Sequence, residues 1–169
     1  TFAFVSPHHA RNFPSMASSI RERLGGGLLL ACTGETVIGG SREHEDCPAF
    51  SPWRGVLPGA DLVPLQLEVE ETPDGIMCSG LPDDLGTRAA DTRAVLLLSE
   101  PFSSVPQSVL DLLADELPNV PVIGGQASGG NPGENRLFMN DREIDRGAIG
   151  VVIRGGPQVR SVVSQGCRP

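Results

Sequence analysis

Two glycine-rich segments, each containing an apolar run, are the parts of this sequence best suited to hold a ligand. The first, LLLACTGETVIGG, spans residues 28–40, and the second, VPVIGGQASGG, spans residues 120–130. Glycines let a backbone approach a bound molecule and offer N–H groups to a carboxylate or phosphate. Tight turns without a ligand are the alternative at each position. The predicted ligand-binding residues of the two segments are Cys32, Gly34, Glu35, Gly39, Gly40, Gly124, Gly125, Ser128 and Gly129.

Histidine and cysteine side chains lie near the same strand ends. Ser6 and His8 follow the first apolar run, and Cys32 lies at the end of the second. A cysteine-dependent hydrolase or transferase is one alternative function, with Cys32 or Cys167 as nucleophile and His8 or His9 as base. A third, orienting residue is not evident, and the GxSxG sequence of hydrolases is absent. We therefore predict no catalytic residues and assign Ser6 and His8 to the ligand site.

Three residues near the C-terminus complete the predicted site. Gln165, Cys167 and Arg168 follow the last apolar run. The Arg168 guanidinium could hold a ligand carboxylate through two parallel hydrogen bonds. A structural salt bridge to Glu35 or Asp141, or packing onto a further domain, is the alternative role for this arginine.

The sequence gives little evidence for a metal site or a dinucleotide-binding site. His44 and Cys47 have the spacing of half a zinc site, but a second pair of ligands is not present to complete it. The GxGxxG pattern of dinucleotide-binding loops does not follow any predicted strand. We predict neither a metal nor a cofactor.

Composition limits the classes of partner. The chain has 169 residues, 39% of them hydrophobic, and a net charge of −8, which suits one domain over residues 1–169. The negative charge disfavours binding to nucleic acid or to an anionic membrane surface. All 13 basic residues are arginine, which excludes lysine-dependent mechanisms such as Schiff-base formation.

Several features bear on location. The apolar runs are all shorter than the roughly 18 residues of a membrane span, and the four cysteines show no CxxC spacing. We expect a cytoplasmic protein with reduced thiols. Because the chain begins inside a strand pattern, we also expect truncation at the N-terminus.

Two helices are predicted from apolar spacing. Residues 15–24 place their apolar side chains on one helical face, and Gly25 provides a C-terminal stop. The second helix begins near Ser104, which forms a capping box with Gln107, and ends before Pro118.

The strands fall into two groups. Four almost continuous apolar runs, FAFV, LLLAC, AVLLLS and VPVIG, bracket the helices and indicate parallel strands covered on both faces. Residues 136–144 predict a hairpin, and residues 148–153 and 159–165 predict antiparallel strands. Residues 70–93, which are acidic and rich in Pro and Gly, are interpreted as a connecting loop, or alternatively as a mobile lid or partner surface.

The order of strand, helix, strand, glycine-rich loop and further strands occurs twice. The predicted fold class is therefore α/β: an internally duplicated βαβββ-type unit with mixed parallel and antiparallel sheets covered by two helices. Loops at the carboxyl ends of parallel strands gather at one edge of a sheet. We expect the two glycine-rich segments to face each other around a shared pocket.

Four motifs in order resemble the FIST N-terminal domain, a sensory module of intracellular signal transduction. They are SPHHA (Ser6–Ala10), LLLACTGETVIGG, GGQASGG and VVSQGCRP (Val162–Pro169). The resemblance implies binding of a small ligand, with amino acids or related metabolites as candidates, and does not imply catalysis. It also implies a C-terminal FIST domain or signalling module as partner, absent after Pro169. The Arg42–Cys47 segment departs from the plain acidic residues that the family shows there.

The predicted function is an intracellular sensory domain that binds a small metabolite and passes its occupancy to a signalling partner domain. A protein-interaction scaffold of the substrate-receptor type is the main alternative. In that case residues 70–93 and an apolar surface patch would form the interaction surface.

Overall fold

The computed structural model describes residues 1–73, 75–103 and 106–162, except for the side chain of Glu71. The predicted cap at Ser104 and the predicted site residues Gln165, Cys167 and Arg168 lie outside these ranges. In chain order the elements are β1 (Phe2–Val5), α1 (Pro7–Ala10), α2 (Phe13–Arg23), β2 (Leu30–Thr33), β3 (Val37–Gly39), β4 (Arg42–His44), β5 (Phe50–Trp53), β6 (Ala60–Thr72), β7 (Gly75–Ser79), a 3₁₀ helix (Gly86–Asp91), β8 (Thr92–Ser99), α3 (Pro106–Glu116), β9 (Val122–Gln126), β10 (Leu137–Met139), β11 (Arg142–Ile144) and β12 (Ala148–Gly155).

The strands of the described ranges form two five-stranded sheets and a separate hairpin. The first sheet has the order β11-β10-β2-β1-β5, with β1 and β2 parallel and the other neighbours antiparallel. The second has the order β7-β6-β12-β8-β9, with β8 and β9 parallel. Strands β3 and β4 form the separate hairpin. The predicted α/β class with mixed sheets is confirmed.

Each sheet has one face beneath a helix. Phe13 of α2 belongs to the same buried cluster as Val5 of the first sheet. Leu113 of α3 belongs to the same buried cluster as Val95 of the second sheet. Side chains alternate along a strand. The residues next to Val5 and Val95 on their strands therefore point away from the helix, toward the opposite sheet.

A third cluster joins the two sheets. Cys32 and Leu137 of the first sheet lie with Leu98 and Ile149 of the second. Fully burying a leucine or isoleucine side chain contributes about 1.5–3 kcal/mol, so this cluster is a major stabilising contact between the sheets. The result is four layers in the order helix, sheet, sheet, helix.

The helix and hairpin predictions are confirmed with small shifts. Helix α2 spans Phe13–Arg23, against a prediction of residues 15–24, and α3 spans Pro106–Glu116, ending before Pro118. The short helix α1 was not predicted; it begins at a proline, which is favoured at a first helical position. The hairpin predicted at residues 136–144 is formed by β10 and β11.

The prediction that residues 70–93 form a connecting loop is wrong. Strand β6 continues to Thr72 and pairs with β7, and a 3₁₀ helix follows. Val69, Cys78 and Leu85 belong to the cluster beneath α3, which explains why this segment is ordered. The alternation of buried and exposed residues in this segment is difficult to recognise from the sequence, because acidic residues and turn formers surround these three residues.

The antiparallel strand predicted at residues 159–165 is wrong for its described part. Strand β12 ends at Gly155, where Gly155 and Gly156 have φ of 61° and 67°, outside the range of a strand. Residues 157–162 belong to no strand and are largely exposed. Residues 163–165 lie outside the described ranges.

The two halves share one pattern of pairing. Strand β1 lies between parallel β2 and antiparallel β5, and β8 lies between parallel β9 and antiparallel β12. The hairpins differ, because β10 and β11 extend the first sheet beside β2 whereas β3 and β4 stand apart. The internal duplication therefore stays a prediction.

Candidate functional site

The space between the two sheets is filled at one end and open at the other. Phe2 and Phe4 alternate along β1 with the buried Ala3 and Val5, so their rings turn away from α2 toward the second sheet. Phe4 is 40% exposed and Trp53, at the end of β5, is 62% exposed. Large apolar side chains on an inner face are buried where the sheets pack, so this exposure marks an unfilled part of the interior.

A cavity of about 570 Å³ occupies this open end, between β1, β2 and β5 on one side and β8 and β9 on the other. We call it the inter-sheet cleft. Its volume lies within the range of about 300–1,000 Å³ that is usual for small-molecule pockets. The lining residues are Phe2, Phe4, Cys32, Thr33, Gly34, Thr36, Trp53, Leu96, Leu97, Leu98, Ile123, Gly124, Gly125, Gln126 and Ser128. Because these side chains are apolar or neutral, the cleft suits an uncharged ligand body.

The two glycine-rich segments meet at the rim of the cleft. The Ser128 N–H donates a hydrogen bond to the Thr33 carbonyl at 3.1 Å. The Glu35 N–H donates in turn to the Ser128 hydroxyl oxygen, also at 3.1 Å. A Cβ atom at position 129 would lie 3.0 Å from the Glu35 backbone, so glycine at this position permits the close approach of the two segments. The predicted meeting of the two segments is therefore observed.

The amides of this rim are largely used within the protein. The Gly34 N–H donates to the Val5 carbonyl at 2.9 Å, and the Ser128 N–H is bonded as described above. The sequence suggested that these glycine-rich segments would present N–H groups to an anion. Instead, the internal hydrogen bonds leave few of them for a carboxylate or phosphate.

Five of the predicted site residues line the cleft: Cys32, Gly34, Gly124, Gly125 and Ser128. Glu35 and Gly129 lie at the rim, in contact with each other. The rest of the described ones lie elsewhere for clear local reasons. Ser6 is buried, and its hydroxyl oxygen accepts a hydrogen bond from the Ala49 N–H. His8 is exposed on α1, and Gly39 and Gly40 belong to the β3–β4 hairpin.

Most of the apolar lining was missed from the sequence. The sequence predicts Phe2, Phe4 and Ile123 only as strand residues and gives no role to Trp53. Large and small apolar residues alternate in FAFV, and such alternation indicates two different environments on the two faces of β1. That signal pointed to an inner face, but it could not show that the face was unfilled.

Cys32 lies at the base of the cleft and is almost fully buried. Burial raises the pKa of its thiol to about 12. A nucleophilic cysteine needs the thiolate near neutral pH, which requires a lowered pKa. The environment of Cys32 therefore opposes the nucleophile considered for it in the hydrolase alternative.

The His44 and Cys47 side chains lie next to each other without forming a metal site. The Cys47 Sγ and His44 Nδ1 are 3.9 Å apart. Within residues 1–73, 75–103 and 106–162, we find no group of three or more histidine, cysteine or acidic side chains placed to hold a metal.

Comparison with known families agrees with the four motifs. The family model described as FIST N domain matches residues 1–169. The chain belongs to the FIST N domain family. FIST domains are sensory domains of signal transduction, so the resemblance carried by the four motifs is confirmed at the level of the family.

Relatives of this FIST N domain are longer proteins. An uncharacterized protein of Mycobacterium tuberculosis is 31% identical over 165 residues, which cover 97% of this chain and 41% of the relative. An uncharacterized protein of Mycobacterium bovis is 30% identical over 162 residues, covering 95% of this chain and 40% of the relative. The chain thus spans about two fifths of the length of these relatives. No solved structure matches it.

Among the described residues, the FIST N domain has no helix with the length and apolar character needed to cross a membrane.

Proposed function

We propose that this FIST N domain binds a small molecule in the inter-sheet cleft and thereby acts as the sensory part of a signalling protein. The observation that carries the proposal is the unfilled interior between two sheets that pack tightly elsewhere. Phe4, Trp53 and Ile123 remain 36–62% exposed on the walls of a 570 Å³ cavity. A ligand that covered these side chains would gain hydrophobic free energy in proportion to the area buried.

The lining defines the chemistry of the proposed ligand. Aromatic and aliphatic walls favour an apolar body, while Thr33, Thr36 and Gln126 offer hydroxyl and amide groups for one polar end. An amino acid with a large apolar side chain fits this lining when its ammonium and carboxylate groups lie at the open mouth of the cleft, in contact with water, and the same holds for the carboxylate of its 2-oxo acid. We propose this class, and we propose binding without turnover.

The position of the cleft also suggests how occupancy reaches a partner domain. The cleft opens between two edge strands, β5 and β9, and its rim is the contact between the two glycine-rich segments. A ligand that held the two sheets at a fixed separation would order these edges and change the surface that a partner meets. We propose that the partner is a C-terminal FIST domain or another signalling module.

The single tryptophan provides a direct assay for the cleft. The chain contains one Trp and no Tyr, and Trp53 lies in the lining. Fluorescence excited at 295 nm therefore reports on the cleft alone. The domain would be titrated with free leucine, isoleucine and phenylalanine, and with their 2-oxo acids. We expect a saturable change in emission for at least one compound, confirmed by isothermal titration calorimetry.

A blocking variant makes the assay specific. A Cβ atom at position 125 would have no other atom within 4 Å, and residue 125 faces the same side of β9 as Ile123, so Gly125→Leu would place an apolar side chain in the cleft. Ser19→Leu adds the same side chain on an exposed site of α2 and serves as the matched control. We expect Gly125→Leu to abolish the titration and Ser19→Leu to leave it unchanged. Binding that survives in Gly125→Leu would place the ligand elsewhere, and a blank panel with the unmodified domain would count against the proposal.

A further inference from the structure

Strand β9 ends the second sheet and has one free edge among the described residues. Strand β9 pairs with β8. At the start of this pairing the Val95 N–H donates to the Pro121 carbonyl, and at its end the Ala127 N–H donates to the Ser99 carbonyl. In a parallel ladder the bonding groups come from alternate residues. Residues 121, 123, 125 and 127 therefore bond to β8. Residues 122, 124 and 126 direct their N–H and C=O groups to the free edge.

This edge carries none of the usual protection. Edge strands are commonly blocked by charged side chains, prolines or bulges, which prevent pairing with another chain. Strand β9 has the sequence VIGGQ, which contains neither charge nor proline, and its register with β8 is regular. Four of its five residues are exposed. No strand of residues 1–73, 75–103 and 106–162 pairs with this edge.

Two apolar cavities lie on opposite faces of the same strand. The inter-sheet cleft occupies the face of Ile123, and a second cavity of about 270 Å³ lies on the face of Val122, beneath Val109 and Leu110 of α3. Residues 124–126 line both cavities. We call the second cavity the α3 pocket. Its lining, like that of the cleft, contains no charged residue.

The spacing of these features matches the alternation of a β-strand. A strand added beside β9 would direct successive side chains to opposite faces of the sheet, one into the inter-sheet cleft and the next into the α3 pocket. Main-chain hydrogen bonds would supply affinity and the two pockets would select side chains. A compact metabolite uses only one of the cavities and needs no row of edge groups. An extended polypeptide uses the inter-sheet cleft, the α3 pocket and the hydrogen-bonding groups of the β9 edge.

We propose that β9 binds an extended segment of a partner protein by strand addition, with uncharged apolar side chains at successive positions. The charge of the segment follows from that of the surface, because a neutral strand between two neutral pockets offers no partner for an ionised side chain, which would lose its hydration on entry. This proposal does not depend on the binding of a small molecule in the cleft.

The test uses a fluorescein-labelled, end-capped peptide of sequence Ser-Leu-Val-Leu-Val-Leu-Ser, titrated with the domain and followed by fluorescence anisotropy. We expect saturable binding. The same peptide with N-methyl groups on alternate residues keeps one unmethylated edge, which can pair with β9 after a shift of one residue because both cavities accept apolar side chains. We therefore expect both alternately methylated peptides to bind. A peptide with N-methyl groups on every residue has no backbone N–H to donate, and we expect it not to bind; saturable binding of this peptide would overturn the proposal.

Substitutions at one position separate the backbone from the side chain. Gln126→Pro removes an N–H at the free edge while sparing the odd-numbered residues that bond to β8. Gln126→Ala keeps that N–H and removes only the side chain. We expect the dissociation constant to rise at least about tenfold in Gln126→Pro, because a hydrogen bond is lost and the proline ring obstructs the edge. Gln126→Ala should raise the dissociation constant by a clearly smaller factor, because it keeps the edge N–H and removes only a side chain that lines the two cavities; equal effects of the two substitutions would contradict pairing through the edge.

Further measurements cover the other outcomes. The urea midpoint of each variant verifies folding, and Val122→Pro offers the same test at the opposite end of the edge if Gln126→Pro is unfolded. Sedimentation velocity measures self-association; a dimer that Gln126→Pro dissolves would assign the edge to a second copy and overturn the proposal. A domain that binds the small-molecule panel but not the peptide would also overturn it, and would leave the proposed sensory function intact.

Discussion

Gly124 and Gly125 are neighbours in β9, yet the space around them differs so much that alanine should have opposite effects at the two positions. A Cβ atom at position 124 would overlap the Leu97 carbonyl oxygen and lie 2.8 Å from the carbonyl carbon. A Cβ atom at position 125 would have no atom of the rest of the protein within 4 Å. Neither glycine has a positive φ, so backbone strain does not enter the comparison.

The cost of Gly124→Ala follows from this contact. The methyl group can be accommodated only if β9 moves away from β8, which weakens the hydrogen bonds on either side of Leu97. Losing two such bonds costs about 2 kcal/mol in total. The residual overlap adds about 1–2 kcal/mol, as for an overpacked core. Gly125→Ala should instead stabilise the domain by about 0.5 kcal/mol, because alanine restricts the unfolded chain. The same restriction of the unfolded chain applies to Gly124→Ala and cancels in the comparison, so the two variants should differ by about 3–4 kcal/mol.

Urea unfolding, followed by far-ultraviolet circular dichroism, measures this difference. With a slope of about 2 kcal/mol per molar urea, the midpoints of the two variants should lie about 1.5–2 M apart. Trp53 fluorescence provides a second probe at the neighbouring cleft. If Gly124→Ala lies within about 1 kcal/mol of Gly125→Ala, β9 yields to the added methyl group, and the close approach of β8 and β9 is not a constraint on the sequence.

Three further predictions concern stability and thiol chemistry. Hydrogen bonds from the Arg154 guanidinium, at 2.8 and 2.9 Å, lower the pKa of Asp84 below its ordinary value of 3.8, so their stabilisation is present above that pH and is lost as pH falls through the lowered pKa. Asp84→Asn should therefore flatten the acid limb of a plot of urea midpoint against pH. Burial raises the pKa of the Cys32 thiol to about 12 and so favours the protonated thiol in the folded state. The contribution of this thiol to the free energy of unfolding is fully present below the ordinary pKa of 9.0 and is lost as pH rises toward 12. Iodoacetamide at pH 8 should label Cys32 far more slowly than the less buried Cys47, as read by peptide mass spectrometry, and urea should remove the difference. Phe13→Ala should lower the free energy of unfolding by about 3–5 kcal/mol, measured by urea unfolding, because its ring is fully buried.

The elements predicted most successfully were those whose sequence pattern was continuous. The apolar runs of β1, β2, β8 and β9 and the turn at Asn140 needed only local information. Asn140 has φ of 58°, a conformation that asparagine adopts more readily than most residues. The family could also be inferred, because its motifs lie in separate parts of the chain and each is visible without knowledge of the fold.

The apolar walls of the cleft could not be predicted in the same way. Whether Phe4 meets a facing side chain or an empty space depends on the distance between two sheets, and that distance is set by the Cys32 and Ile149 cluster at the other end. Whether a glycine N–H is already hydrogen-bonded also depends on residues that are distant in the sequence. The Gly34 amide is used by Val5, 29 positions earlier in the chain, so a glycine-rich loop was a poor guide to a free amide.

The cleft remains open because the two sheets are joined at its rim by backbone contacts instead of packed side chains. In each half, the N–H after the first strand bonds to a carbonyl at the start of the antiparallel partner: Ser6 to Ala49 at 2.9 Å, and Glu100 to Gly147 at 2.8 Å. These equivalent bonds hold the ends of β1 and β8 against β5 and β12. The Gly34 N–H bonds to the Val5 carbonyl and the Ala127 N–H to the Ser99 carbonyl, and these bonds hold the glycine-rich segments against their own sheets. The bond from Ser128 to the Thr33 carbonyl then joins the sheets directly. A hydrogen bond holds its donor and acceptor at a fixed distance, whereas a cluster of apolar side chains would pack until no empty space remained between the sheets. Apolar substitutions of the rim side chains would keep these backbone bonds, so the cleft should stay open in such variants.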